Sequence, residues 1–190
     1  MACEVKTWWV VFVVLSVMDL CPWALGAPQV PCYFIFGDSL ADSGNNNLLP
    51  TIAKANYQPY GIDFLTGPTG RFCNGRTTVD VLAQLLGFDN FIPPFATATG
   101  PDILQGVNYA SGAAGIRQES GQQQGARISM DAQLRNHNIT VSHIVHILGN
   151  KHKAAKYLKK CIYTVGMGSA SLQRVRFGRT YPSNGCLSTG

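Results

Sequence analysis

Three short turns hold the residues that could do chemistry. Each follows an apolar run: Gly37-Asp38-Ser39, Ser111-Gly112-Ala113-Ala114-Gly115 and Gly166-Met167-Gly168-Ser169. Ser39 is the candidate nucleophile. A serine hydroxyl reacts poorly at its own pKa and needs a base, most often histidine, that a carboxylate orients. It also needs N–H donors for the oxyanion formed on attack, each worth roughly 3 kcal/mol in the transition state. Small residues let backbone N–H groups approach a substrate, which gives Gly37 and Gly112 a purpose. The surroundings of Ser39 are not the Gly-x-Ser-x-Gly elbow of the α/β-hydrolases. The plainer alternative is a loop serine that caps a helix. Asp38 reads as a structural carboxylate accepting backbone N–H groups.

The base is harder to find. The histidines are His137, His143, His146 and His152, and none has a carboxylate three residues before it. All fall in the middle helical region rather than at a strand end, where a base would have to reach the serine. His143 and His146 have the helix spacing of a metal pair, but no third ligand is near, so no metal is expected. Lys151, Lys153, Lys156, Lys159 and Lys160 form a basic run, read as a solvated helix face, with no nucleic-acid partner expected. Arg71 and Asn74 could touch substrate or anchor their loop. The turn after Ser111 lacks the lysine of a phosphate-binding loop.

Elements must place these turns together. Cys32 to Phe36 is a buried strand by its apolar run, and Val107 to Ala110 and Cys161 to Val165 are two more. Thr77-Thr78-Val79-Asp80 looks like a capping box opening a helix with Val81, Leu82, Leu85 and Leu86 on its apolar face, stopped by Gly87. A long helix is expected from Asp131, with Leu134, Val141, Ile144, Val145 and Leu148 as its buried stripe, ended by Gly149-Asn150. A short basic helix then runs to Lys160. Strands alternating with helices predict a parallel α/β sheet with helices on both faces. Such sheets carry their sites at the C-terminal strand ends, so the three turns share one edge.

The composition sets outer bounds. The chain has 190 residues, net charge +5 and 46% hydrophobic residues, enough for one domain with a core. Lys6 followed by the apolar run Trp8 to Met18 and small residues at Ala24, Gly26 and Ala27 predicts a signal peptide over residues 1–26. A bilayer span needs about 20 apolar residues, so no stable membrane span is expected. Cys32, Cys73, Cys161 and Cys186 would remain after cleavage, and they allow three pairings. Asn138-Ile139-Thr140 is a glycosylation sequon at Asn138, usable only if the chain is secreted.

The thirteen residues Phe34-Ile35-Phe36-Gly37-Asp38-Ser39-Leu40-Ala41-Asp42-Ser43-Gly44-Asn45-Asn46 resemble the first block of the plant GDSL esterase/lipase family, within the SGNH hydrolases. Gly70 to Arg76 and Gly106 to Gly112 are similar to further stretches of that family. The resemblance implies a flavodoxin-like three-layer fold and a carboxylic ester hydrolase, a secreted or cell-wall protein acting on small esters or lipids without a cofactor. It makes Ser39 the nucleophile, with the Ser39 and Gly112 amides as oxyanion donors. The family's third block reads Gly-x-Asn-Asp, and its asparagine is a third donor. Here Gly168-Ser169 is followed by Ala170 and Ser171, and alanine has no side-chain donor. The family's Asp-x-x-His element is absent.

Residues 27–169 therefore read as the N-terminal part of a GDSL/SGNH hydrolase domain whose C-terminal part is missing, and residues 170–190 as a non-family tail expected to be disordered. The abrupt loss after Ser169 suggests an alternative transcript or a gene-model error. Two other readings stay open: a catalytically inactive isoform or binder of acyl or cell-wall ligands, and a chain whose open sheet edge prevents stable folding.

Overall fold

The computed structural model of the protein describes residues 27–168. The expected signal peptide, Ser169, Ala170, Cys186 and the tail lie outside the described residues.

The centre is β1, Tyr33–Gly37, buried along its whole length. Successive strand side chains point to opposite faces. Phe34 and Phe36 pack with Tyr109, Ile144 and Ala154 on one side, while Tyr33 and Ile35 pack with Ala83, Phe88 and Ile92 on the other. β2, Ile162–Gly166, pairs with β1 in parallel, from Tyr33 opposite Ile162 to Gly37 opposite Gly166. Residues 107–111 line the other edge of β1. Ile35 N donates to Val107 O (3.1 Å), Tyr109 N to Ile35 O (2.7 Å) and Ser111 N to Gly37 O (3.1 Å). Pro93 to Phe95 bond to Asn108 beyond that. All run parallel, so the ends of β1, β2 and the 107–111 segment share one edge, as predicted.

Among the described residues, three α-helices flank the sheet. α1, Thr78–Leu85, carries the expected capping box: Thr77 Oγ1 accepts from Asp80 N, and Asp80 Oδ2 accepts from Thr77 N. Its apolar face is not where the periodicity put it. Val81 and Leu82 are 39% exposed and Leu85 69%, while Asp80 and Ala83 are buried. The cause is Arg71. Its guanidinium grips Asp80 at two points, Nε to Oδ2 at 2.7 Å and Nη2 to Oδ1 at 3.0 Å, and that pair turns the Asp80 side inward.

α2, Met130–Leu148, ends at Gly149 in a left-handed cap (φ 66°), where glycine is favoured. Ile144 faces the core as expected, with Val145 and Leu148 beside it, but Leu134 is exposed. Gln133 and Thr140 take the buried side instead. Gln133 is drawn in by the polar groups at the end of β1.

α3, Lys151–Leu158, is capped by Asn150, whose Oδ1 accepts from His152 N and Lys153 N. It turns Ala154 inward and packs on the same face of the sheet as α2. β2 also departs from expectation. Its apolar run predicts burial, yet Tyr163 and Val165 are 42% and 60% exposed, because β1 is its one strand neighbour among the described residues. The structure contains the disulfide Cys32–Cys161, which occurs in one of the three possible pairings and joins the residues just before β1 and β2.

Candidate active site

Ser39 sits half-buried in the turn that leaves β1. The turn closes by Ala41 N and Asp42 N bonding to Asp38 O. Asp38 is buried and structural: Oδ1 accepts from Leu40 N (3.1 Å) and Oδ2 from Gly168 N (3.2 Å). Asp38 N also donates to Gly166 O, so this residue ties the serine turn to the end of β2.

Gly37, just before it, is held from the other side by Gln133. Gln133 Oε1 accepts from Gly37 N (3.0 Å), and Nε2 donates to Gly37 O (2.8 Å) and Ile128 O (3.0 Å). The side-chain amide completes the hydrogen bonding of the last strand residue, as a neighbouring strand would. Sequence reasoning missed Gln133. The signal was its spacing of seven and eleven from Thr140 and Ile144, which share its buried side.

Behind the serine lies a buried polar network. Asp42 accepts 2.8 Å bonds from Gly44 N and Asn45 N on one oxygen and from Gly112 N on the other. Burial pushes its pKa up to about 6, with those N–H donors pulling the other way. Asn45 Nδ2 donates to Asn108 O and Ala110 O. Asn46 joins Ala53 O, Gly112 O and Ser111 Oγ. Asn108 Nδ2 reaches Ala41 O. The serine turn is thereby fastened to the turn after residue 111.

That network alters the role of Gly112. Its N–H was expected to face an oxyanion, but the structure engages it with Asp42. A Cβ there would lie 2.5 Å from Phe72 Cζ and 2.8 Å from Asn46 Nδ2, so close packing requires glycine. The next residue, Ala113, is the one non-glycine residue at positive φ (66°) among the described residues. Such backbone is sparsely populated and clusters at functional sites. The N–H groups of Ser39 and Ala113 meet no acceptor among the described residues.

The structure brings no histidine to Ser39. His137 lies edge-on against Phe34, Phe36, Tyr109 and Tyr163, with Nδ1 3.2 Å from Tyr109 Oη. Burial lowers its pKa and favours the neutral ring. His143, His146 and His152 are exposed on α2 and α3. No cluster that could hold a metal occurs among the described residues. Arg71 is a loop anchor, between Asp80 and the rings of Phe64 and Phe91. Asn138 is exposed on α2, with Thr140 Oγ1 turned in to Asn136 O. No described helix is long and apolar enough to cross a membrane.

Residues 33–176 match the family described as GDSL-like Lipase/Acylhydrolase. The match extends past Ser169. GDSL esterase/lipase At4g18970 of Arabidopsis thaliana is 60% identical over 162 residues, covering 85% of this chain and 45% of that protein. GDSL esterase/lipase At1g29660 is 67% identical over 142 residues, with 75% and 39% covered. At1g29670 is 55% identical over 177 residues, with 93% and 48% covered. The chain thus spans somewhat less than half the length of these curated relatives. No solved structure matches it. A serine turn at the end of a central parallel strand, fastened to a second small-residue turn, lies inside the matched region, and the chain belongs to the GDSL-like lipase/acylhydrolase family.

Proposed function

We propose that this region supplies the nucleophile and the oxyanion-binding half of a site that hydrolyses carboxylic esters of small acyl or lipid substrates. Ser39 Oγ attacks the acyl carbonyl. The oxyanion rests on the Ser39 and Ala113 N–H groups, and Gly112 acts through packing and through its bond to Asp42. A base takes the Ser39 proton and passes it to the leaving alkoxide, and water then releases the acid. No cofactor enters. The base is none of the four histidines as they stand here. A secreted protein is part of this reading, supported by the N-terminal apolar run and by the Cys32–Cys161 disulfide, since such bonds persist in oxidising compartments.

The observation that carries the reading is Ser39 at the exit of the central strand, with two unengaged N–H groups on the same edge. Hydrolysis of p-nitrophenyl acetate and butyrate, beside Ser39→Ala and a full-length relative, tests it. Turnover is expected to vanish in Ser39→Ala; turnover that survives the substitution removes Ser39 from the reaction.

A second reading has its own observation: no histidine bonds to Ser39 among the described residues. On it, this chain binds acyl ligands without turning them over. Retained binding of a butyrate ester, with the relative active and the chain silent, selects it.

A further inference from the structure

The outer face of α3 carries a concentration of positive charge. Lys151, His152, Lys153, Ala155, Lys156, Lys159 and Lys160 are its exposed positions and those of its C-terminal cap, so every one but Ala155 carries a basic side chain. Lys156 stands three residues from Lys153 and Lys159 and four from Lys160, spacings at which like charges repel. Lys151 and Lys153 occupy the first turn, where the helix dipole disfavours cations and no acidic residue offsets them. No Asp or Glu follows Asp131 in the sequence, and none of these lysines forms an ion pair among the described residues. The dipole favours Lys156, Lys159 and Lys160 at the C-terminal end, whereas Lys151 and Lys153 and the close spacing of like charges work against the helix.

We infer that this face docks on an anionic lipid surface. Its charge complements acidic headgroups, and a helix carrying four or more lysines on its outer face is the pattern such surfaces attract, at about 1 kcal/mol per lysine. The buried side of α3 carries Ala154, with Tyr157 and Leu158 packed on the core, so the helix is fixed while its lysines extend outward. Tyr157 Oη donates to Pro31 O, next to the start of β1, which fixes the last turn of the helix against the fold. The choice of lipid over other polyanions rests on the ester-hydrolase reading of Ser39; the charge pattern does not.

Co-sedimentation of the full chain with phosphatidylcholine vesicles, with and without phosphatidylserine, tests the inference without reading turnover. Binding is expected only with phosphatidylserine, and it should fade at raised salt. K153Q/K156Q/K160Q should bind about 100-fold more weakly, while K153R/K156R/K160R and Ser39→Ala should bind like the parent. Equal binding to neutral vesicles, no binding, or capture by RNA or heparin but not by vesicles would each overturn it. Loss of hydrolysis in Ser39→Ala with vesicle binding intact separates this inference from the esterase reading.

Discussion

β1 and β2 are both five residues long and pair residue for residue, but all of β1 is buried while Tyr163 and Val165 of β2 are 42% and 60% exposed. The hydrogen bonds between them are shared, so pairing does not explain the difference. β1 has a second neighbour in residues 107–111, and helices cover both of its faces. β2 has one strand neighbour among the described residues. Register comes from one partner; burial takes neighbours on every side. The site inherits this asymmetry, since Ser39 leaves the strand that is held from all directions.

The comparison can be strained at its covalent joint first. Cys32–Cys161 fastens the starts of the two strands across a separation of 129 residues. Closing so long a loop restricts the unfolded chain by up to about 5 kcal/mol. Cys32→Ser with Cys161→Ser should therefore shift the urea midpoint more than any single change below. A midpoint that does not move would mean that packing alone joins the strands.

Phe34→Ala in β1 is expected to cost about 3–5 kcal/mol, since the ring is fully buried against Tyr109 and Tyr163. Losing Arg71 should cost a similar or smaller amount, because Arg71→Met leaves the Asp80 carboxylate buried without its partner. Thermal melts rank them, and a melt for Arg71→Met equal to the parent would show that the clamp contributes nothing to stability.

Asp42 sharpens the comparison through pH. Its folded pKa of about 6 lies above the unfolded value near 3.9. The folded state therefore keeps a proton that the unfolded state gives up. The stability tied to Asp42 is fully present below about pH 4 and is lost as pH rises to about 6. In Asp42→Asn this dependence disappears. Urea midpoints of the two proteins should diverge across that window, and a constant difference would show that the N–H donors keep Asp42 ionised throughout. The smallest effect is expected at β2: Val165→Thr should change stability by no more than about 0.5 kcal/mol. A loss as large as that of Phe34→Ala would mean that the edge is covered in solution.

Much of the frame is legible in the residue pattern. The apolar run before Gly37, the Thr77–Asp80 box and Gly149 mark their elements because each signal is local. What stayed hidden depends on contacts between distant segments. Leu134 reads as core by periodicity, yet Gln133 takes the inside because Gly37, 96 residues away, needs its amide. Val81 and Leu82 give up the inside of α1 to Asp80 for the sake of Arg71. At the site, the turn that leaves β1 could be placed from its motif. The engagement of the Gly112 N–H by Asp42 could not, because it depends on a carboxylate 70 residues earlier. The exposure of β2 was equally hidden, since Tyr163 and Val165 have the composition of a buried strand.

The placement of β1 has a consequence in time. It is the first described strand to be synthesised, and its partner in β2 follows some 129 residues later. At about 5–20 residues per second, roughly 6 to 26 s pass before Tyr163 can meet Phe34. Through that interval one edge of the most apolar strand in the fold has no β2 to pair with. The growing chain depends on the 107–111 segment, made earlier, to shelter the other edge.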